Sequence, residues 1–184
     1  MKLPPLPPRI VLVALGPMVR SLLAEVGGAL TAVYGPPAIA GPSQQRPDYA
    51  FNRDRQQYHS TAILRRLAQV RNAAEDVPIL GLTAVDLFVP EAPFVFGEAD
   101  REAGAAVLSL SRLSHGAEGK PADPEQLLRR ARIEGLRQVG HLLGLSQCPD
   151  PRCAMSLSHR PSDLDRKTVG LCAACRATVR PGVT

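Results

Sequence analysis

Hydrophobic positions along the chain alternate between strand-type and helix-type periods. Residues 9–15 (RIVLVAL) form a continuous, β-branched apolar run, the pattern of a strand covered on both faces. Gly16-Pro17 turns the chain, and Val19, Leu22, Leu23, Val26 and Leu30 then recur at the spacing of a helix packed on a sheet, over residues 18–33. Residues 35–47, with Pro36-Pro37, exclude regular helix and predict a loop around a short edge strand at most. Ile63, Leu64, Leu67 and Val70 predict a second amphipathic helix over residues 58–73, its arginines facing water. Residues 77–88 and 92–96 read as strands, and 105–113 (AAVLSLSRL), which alternates apolar with small polar residues, reads as a half-buried strand. With the first run they predict a sheet of about four or five strands. After a polar loop, Pro124 opens a helix with Asp123 as its N-cap; it carries Leu127, Leu128, Ala131, Ile133, Leu136 and Val139 and ends near Gly144. A strand followed by a helix and further strands indicates an α/β (α+β) protein without internal repeats.

Composition narrows the class. The 184 residues, 45% hydrophobic and 21% charged, suit one soluble domain, and no apolar run approaches the roughly 18 residues of a membrane span. The start, MKLPPLPPRIVLVALGP, places prolines before its apolar run and no small-residue cleavage site after it. It reads as a proline-rich lead-in (residues 1–8) and a first strand, and the expected compartment is the reducing cytoplasm. The formal charge of +5 is mildly basic. Aromatic content of 4%, the absence of tryptophan and the lack of a dense basic cluster argue against a nucleic-acid partner, although Arg129, Arg130, Arg132 and Arg137 lie close in sequence.

The chemistry lies near the C-terminus. Cys148, Cys153, Cys172 and Cys175 have the spacing C-x4-C-x18-C-x2-C, two close pairs separated by a loop. In a reducing compartment that pattern points to a structural zinc in a tetrahedral thiolate shell, with no open position for a substrate. Each bound cysteine gives up its proton, so the zinc-loaded chain is about two charges less positive.

Just upstream stands RQVGHLLGLSQC (137–148), followed by C-x-M at 153–155. This resembles the metzincin motif H-E-x-x-H-x-x-G-x-x-H with its methionine turn, and in particular the archaemetzincin family, whose motif runs directly into a cysteine and on to four zinc-binding cysteines. The resemblance extends over ILGLTAVDLFVP (79–90), FVFGEA (94–99), the SLSRL segment ending at Leu113, CPDPRCAM (148–155) and DRKTVGLCAACR (165–176). It implies a metzincin-like fold: a mixed twisted sheet with packed helices in an upper part (9–145), and a smaller lower part (146–184) carrying the four-cysteine zinc module, all in one domain.

Carried over residue by residue, the first metal histidine falls on Arg137, the glutamate general base on Gln138, the second histidine on His141, the glycine on Gly144 and the third histidine on Gln147. Met155 keeps the methionine turn. Arg137 brings a fixed positive charge where a ligand is needed, Gln138 cannot take a proton, and the Gln147 amide suits hard cations better than zinc. A substitute shell from His141 with His159 or Glu134 would require Glu134 to reach along two helical turns. One reading of Arg137 is that its guanidinium takes the place of the ion, bonding Gln147 or a nearby carboxylate.

The leading expectation is therefore an archaemetzincin-like protein that has lost the catalytic zinc, is braced by one structural zinc, and keeps a cleft for an extended peptide held at a sheet edge near 94–96 or 105–113. The alternative is an active zinc aminopeptidase or endopeptidase.

Overall fold

The computed structural model describes residues 5–71, 77–116 and 120–179. The proline-rich lead-in is described only from Pro5, and the end of the helix expected over 58–73 lies outside the described residues.

The chain builds β1 (Ile10–Leu15), α1 (Arg20–Tyr34), β2 (Ala38–Ala40), β3 (Phe51–Asn52), β4 (Gln57–His59) and α2 (Ser60–Val70). There follow β5 (Ile79–Thr83), β6 (Leu87–Val89), β7 (Ala92–Val95), β8 (Gly97–Asp100), β9 (Ala105–Ser109), α3 (Pro124–Leu142), α4 (Pro161–Leu164) and α5 (Ala173–Val179). Five strands make a sheet in the order β2-β1-β5-β9-β8, parallel except for the antiparallel edge strand β8. A second, four-stranded sheet runs β3-β4-β6-β7. This is the mixed α/β architecture that the sequence pattern and the resemblance imply.

Alternate residues of the central strands serve two cores. Leu12, Ala14, Leu80, Leu82, Ala106 and Leu108 face α1 and α3, while Val13, Leu15, Ile79, Ala105 and Val107 face α2. Helices on both faces explain why β1, β5 and β9 read as near-continuous apolar runs.

Several elements depart from the sequence reading. Residues 77–88 are two strands, β5 and β6, in different sheets. The chain breaks between them at Asp86, whose carboxylate takes both Arg112 Nε and Nη2, at 2.7 and 2.8 Å, and the Gln57 amide at 2.9 Å. Strand β9 is buried throughout and shorter than expected, because α2 and α3 cover its two faces; Ser109 satisfies its hydroxyl by donating to Val85 O at 2.6 Å. Since β9 pairs with both β5 and β8, it offers no free edge for a peptide, and the terminal strand on that side of the sheet is β8.

Among the described residues, no helix is long and apolar enough to cross a membrane.

Candidate active site and metal centre

Helix α3 starts as its sequence dictates: Asp123 Oδ1 accepts from Gln126 N at 2.8 Å, and Pro124 occupies the first turn, where its missing N–H costs nothing. The helix stops before Gly144, which takes φ +93, a left-handed conformation that side chains rarely adopt. Leu145 N returns to Gly140 O at 2.8 Å, closing the helix end.

Met155 lies under the helix, fully buried. A Cβ at Gly140 would stand only 2.3 Å from Met155 Sδ, so this glycine permits the close approach. Tyr34 of α1 braces the same place, its hydroxyl donating to Leu136 O at 2.6 Å; burial pushes its phenol far above the usual range.

The motif positions face a buried carboxylate. Glu134, 0% exposed, accepts at Oε1 from Gln138 Nε2 at 2.5 Å and from Arg137 Nη1 at 3.1 Å. Its Oε2 and Arg137 Nε are buried and have no hydrogen-bond partner among the described residues. The Arg137 side chain is 17% exposed, so it lies along the protein rather than in solvent. Its partner is the Glu134 carboxylate and not the Gln147 amide. Lys167, almost wholly buried, donates from Nζ to Ser156 O. Burial lowers its pKa, while the Glu134 charge acts to raise it and the Arg137 charge to lower it. Two of the motif side chains, Arg137 and Gln138, are thus bonded to Glu134.

His141 bonds through Nδ1 to Leu145 O at 3.0 Å, leaving Nε2 uncommitted. His159 is exposed and does not join His141 and Glu134 in a donor cluster; among the described residues, the grouping of His, Cys, Asp and Glu able to share an ion is the four cysteines.

Two consequences can be measured. Replacing Arg137 with Met strips the charged partner from a buried carboxylate, a loss of about 3 kcal/mol. Glu134→Gln made in the Arg137→Met background recovers part of it, a coupling visible in a double-mutant cycle on urea unfolding. Strictly additive losses would mean the two side chains do not interact. The second concerns pH. Burial, then the Arg137 charge, holds His141 below the ordinary histidine value. The unfolded chain takes up that proton near pH 6.5, before the folded chain does, so this group makes stability fall as pH drops from 7 toward 5. His141→Asn should flatten the fall, whereas an unchanged slope would remove His141 as its source.

The cysteines come together as their spacing predicts. All four sulfurs lie within 4.8 Å of one another, and Cys148 Sγ to Cys172 Sγ is 3.7 Å. A tetrahedral zinc with bonds of 2.3 Å would put its sulfurs about 3.8 Å apart. Backbone amides aim at the sulfurs, Cys172 N at Cys153 Sγ (3.3 Å) and Cys175 N at Cys172 Sγ (3.5 Å), which orients them as a second shell orients metal ligands. Without an ion, burial pushes up the Cys153 and Cys175 thiols, while the Cys175 amide holds the Cys172 thiol down. The donor set and its geometry fit zinc.

The module is tied to α3 by a partner that the sequence did not disclose. Arg130, 2% exposed, binds Asp165 in a fork of two 2.7 Å bonds and donates to Leu113 O and His115 O. Arg129 binds the carbonyls of Leu164 and Lys167, and Arg132 pairs with Glu25. The arginines that looked like a basic patch are thus engaged within the chain.

An α/β sheet carrying a glycine-terminated helix over a methionine turn, next to a tetrad of cysteines, defines a metzincin-type zinc-peptidase scaffold. The sequence profile of peptidase family M54 matches residues 18–180, and the chain belongs to that family. It is 40% identical over 129 residues to the archaemetzincin of Methanocaldococcus jannaschii, covering 70% of this chain and 69% of that one. With the archaemetzincin of Methanopyrus kandleri it shares 33% identity over 159 residues, 86% of each. Among solved structures, a zinc-dependent peptidase from Methanocorpusculum labreanum superposes with a TM-score of 0.84 at 30% identity, covering 93% of this chain and 100% of that one. The archaemetzincin of Archaeoglobus fulgidus, complexed with malonate, gives 0.78 at 30% identity, with coverage of 92% and 99%.

Proposed function

We propose that this family member holds no catalytic zinc and does not hydrolyse peptides, that one zinc sits in Cys148, Cys153, Cys172 and Cys175 as a brace, and that the cleft beside α3 binds an extended peptide. The observation that carries the reading is the tie of Arg137 and Gln138 to buried Glu134. At the positions of a metal histidine and a general base stand a fixed cation and an amide, both already committed to an internal carboxylate. Gln147 offers only an amide and His141 joins no His, Cys, Asp or Glu cluster among the described residues, which leaves one imidazole, too few donors for a hydrolytic zinc, which uses three protein ligands. The residues do not fit that ion.

The cysteines do. Zinc bound there would cross-link the segment after α3 to the segment leading into α5, and its closed thiolate shell leaves no position for a reacting water. For the peptide, β8 supplies the terminal strand of the sheet beside α3, where Gln138 packs against Gly97. Main-chain pairing with that edge needs no metal.

The test is a peptidase assay on fluorogenic peptide mixtures, with and without added zinc, alongside a family member with an intact motif. The proposal expects no turnover above background at any zinc concentration. Zinc-dependent turnover that disappears in His141→Ala would establish the active peptidase instead.

A further inference from the structure

A second site lies away from the motif helix, on the face of the five-stranded sheet covered by α2. There a cleft of about 570 Å3 opens beside the C-terminal end of β1, within the size range of small-ligand sites. Leu15 and Leu67 contribute apolar wall, and Arg46, Arg65, Arg66 and Tyr49 are among the other lining residues.

The charges there are poorly balanced. Arg46 donates through Nε to Asp48 Oδ1 at 2.6 Å. Arg66 reaches only the Gln69 amide oxygen, at 3.3 Å, and Arg65 has no hydrogen-bond or ion-pair partner among the described residues. Two guanidiniums, consecutive on α2, therefore line one cleft with no described carboxylate to neutralise them. The opposite wall is held in place: Gly16 N donates to Gln44 O at 3.0 Å and Gln44 N to Ala14 O at 2.8 Å, which pins the segment leading to Arg46 against β1. Tyr49, 58% exposed, sits within the field of Arg66 and presents an open aromatic face.

Through β1 the cleft also adjoins a reversal in strand order. The parallel strands run β2-β1-β5-β9, so the chain winds from β1 outward to β2 and then crosses back to β5 on the other side. Open α/β sheets take ligands past the carboxyl ends of their strands at such a reversal. Leu15, which lines the cleft, is the last residue of β1.

We propose that this cleft binds a phosphate-bearing small molecule of nucleotide size, its phosphates on Arg65 and Arg66 and its ring against Tyr49. Guanidinium forks match phosphate oxygens in pairs, and an aromatic side chain stacks a base without regard to its identity. The site is separate from the motif helix, so the proposal stands apart from the question of peptidase activity.

Calorimetric titration of the zinc-loaded full chain with ATP, inorganic tripolyphosphate and a short polyglutamate peptide tests it. ATP is expected to bind one per chain. The double variant Arg65→Gln/Arg66→Gln should weaken ATP at least tenfold, with Arg101→Gln without effect, and Tyr49→Ala should weaken ATP several-fold more than tripolyphosphate. These are exposed positions, and an unchanged melting profile of each variant checks that it is folded. Absence of ATP binding at millimolar concentration, binding indifferent to the double substitution, or tighter binding of the acidic peptide than of ATP would overturn the proposal.

Discussion

Replacing Cys153 with serine should lower the unfolding midpoint by roughly 10 °C or more and leave the purified protein without stoichiometric zinc. Cys153 is 1% exposed and packs with Met155, Leu164, Leu171 and Val179 in the core that also receives α3. Apparent binding free energies of structural zinc are about 10–16 kcal/mol at pH 7, and in a chain whose site forms only on folding that energy counts as folding energy. Loss of one thiolate of four forfeits several kcal/mol of it, and each kcal/mol is worth about 2–4 °C for a chain of this size. The backbone ties between the two cysteine pairs, such as Ala154 N to Gly170 O at 3.0 Å and Thr168 N to Arg152 O at 2.8 Å, are too few to hold the tail against that loss. Prolonged treatment with a strong chelator should reproduce the shift in the unmodified protein. Calorimetry and metal analysis on the same samples check both results; a Cys153→Ser protein that melts with the parent would show that the cysteines carry no brace.

The triple substitution Arg137→His/Gln138→Glu/Gln147→His should raise bound zinc from one to two per chain. His141 is already prepared for such a role: its Nδ1 is engaged by Leu145 O, the arrangement that fixes the other nitrogen for a metal. The methionine turn, Gly140 and Gly144 keep the helix where the motif needs it. Gln138→Glu alone behaves differently. It sets a second carboxylate against Glu134, whose Oε1 now receives the Gln138 amide at 2.5 Å, so that the one Arg137 guanidinium must answer two buried carboxylates in contact. That single variant should lose about 2–4 kcal/mol of stability, whereas in the triple variant added zinc restores part of the loss. A triple variant that still binds one zinc would mean that more than the three donor positions separates this chain from a metal site.

Much of this arrangement is legible in the sequence where local chemistry decides it. Asp123-Pro124 and Gly144 bracket α3 because capping and left-handed backbone are short-range requirements, and four cysteines in two close pairs leave little choice of partner. Pairing at long range is another matter. Strand β8, sequence GEAD, carries no apolar signal because it is an edge strand half open to solvent. Residues 77–88 hide a change of sheet, since the fork of Arg112 on Asp86 that stabilises the break joins residues 26 positions apart. The small polar residues of β9 suggested a wet face, although Ser109 is buried with its hydroxyl satisfied by Val85 O. At the site, the sequence showed that Arg137, Gln138 and Gln147 stand where metal chemistry needs other groups. It did not show that Glu134 receives two of them, because three- and four-residue helical spacing permits the contact without requiring it.

Zinc stoichiometry settles the nature of the site most directly. Purified protein reloaded with excess zinc, washed and measured by mass spectrometry, with an anomalous difference map from crystals, should give one zinc per chain, placed among the four sulfurs. A second ion bonded to His141 Nε2 would mean that the motif helix still holds a metal and that the tie of Arg137 to Glu134 gives way to it.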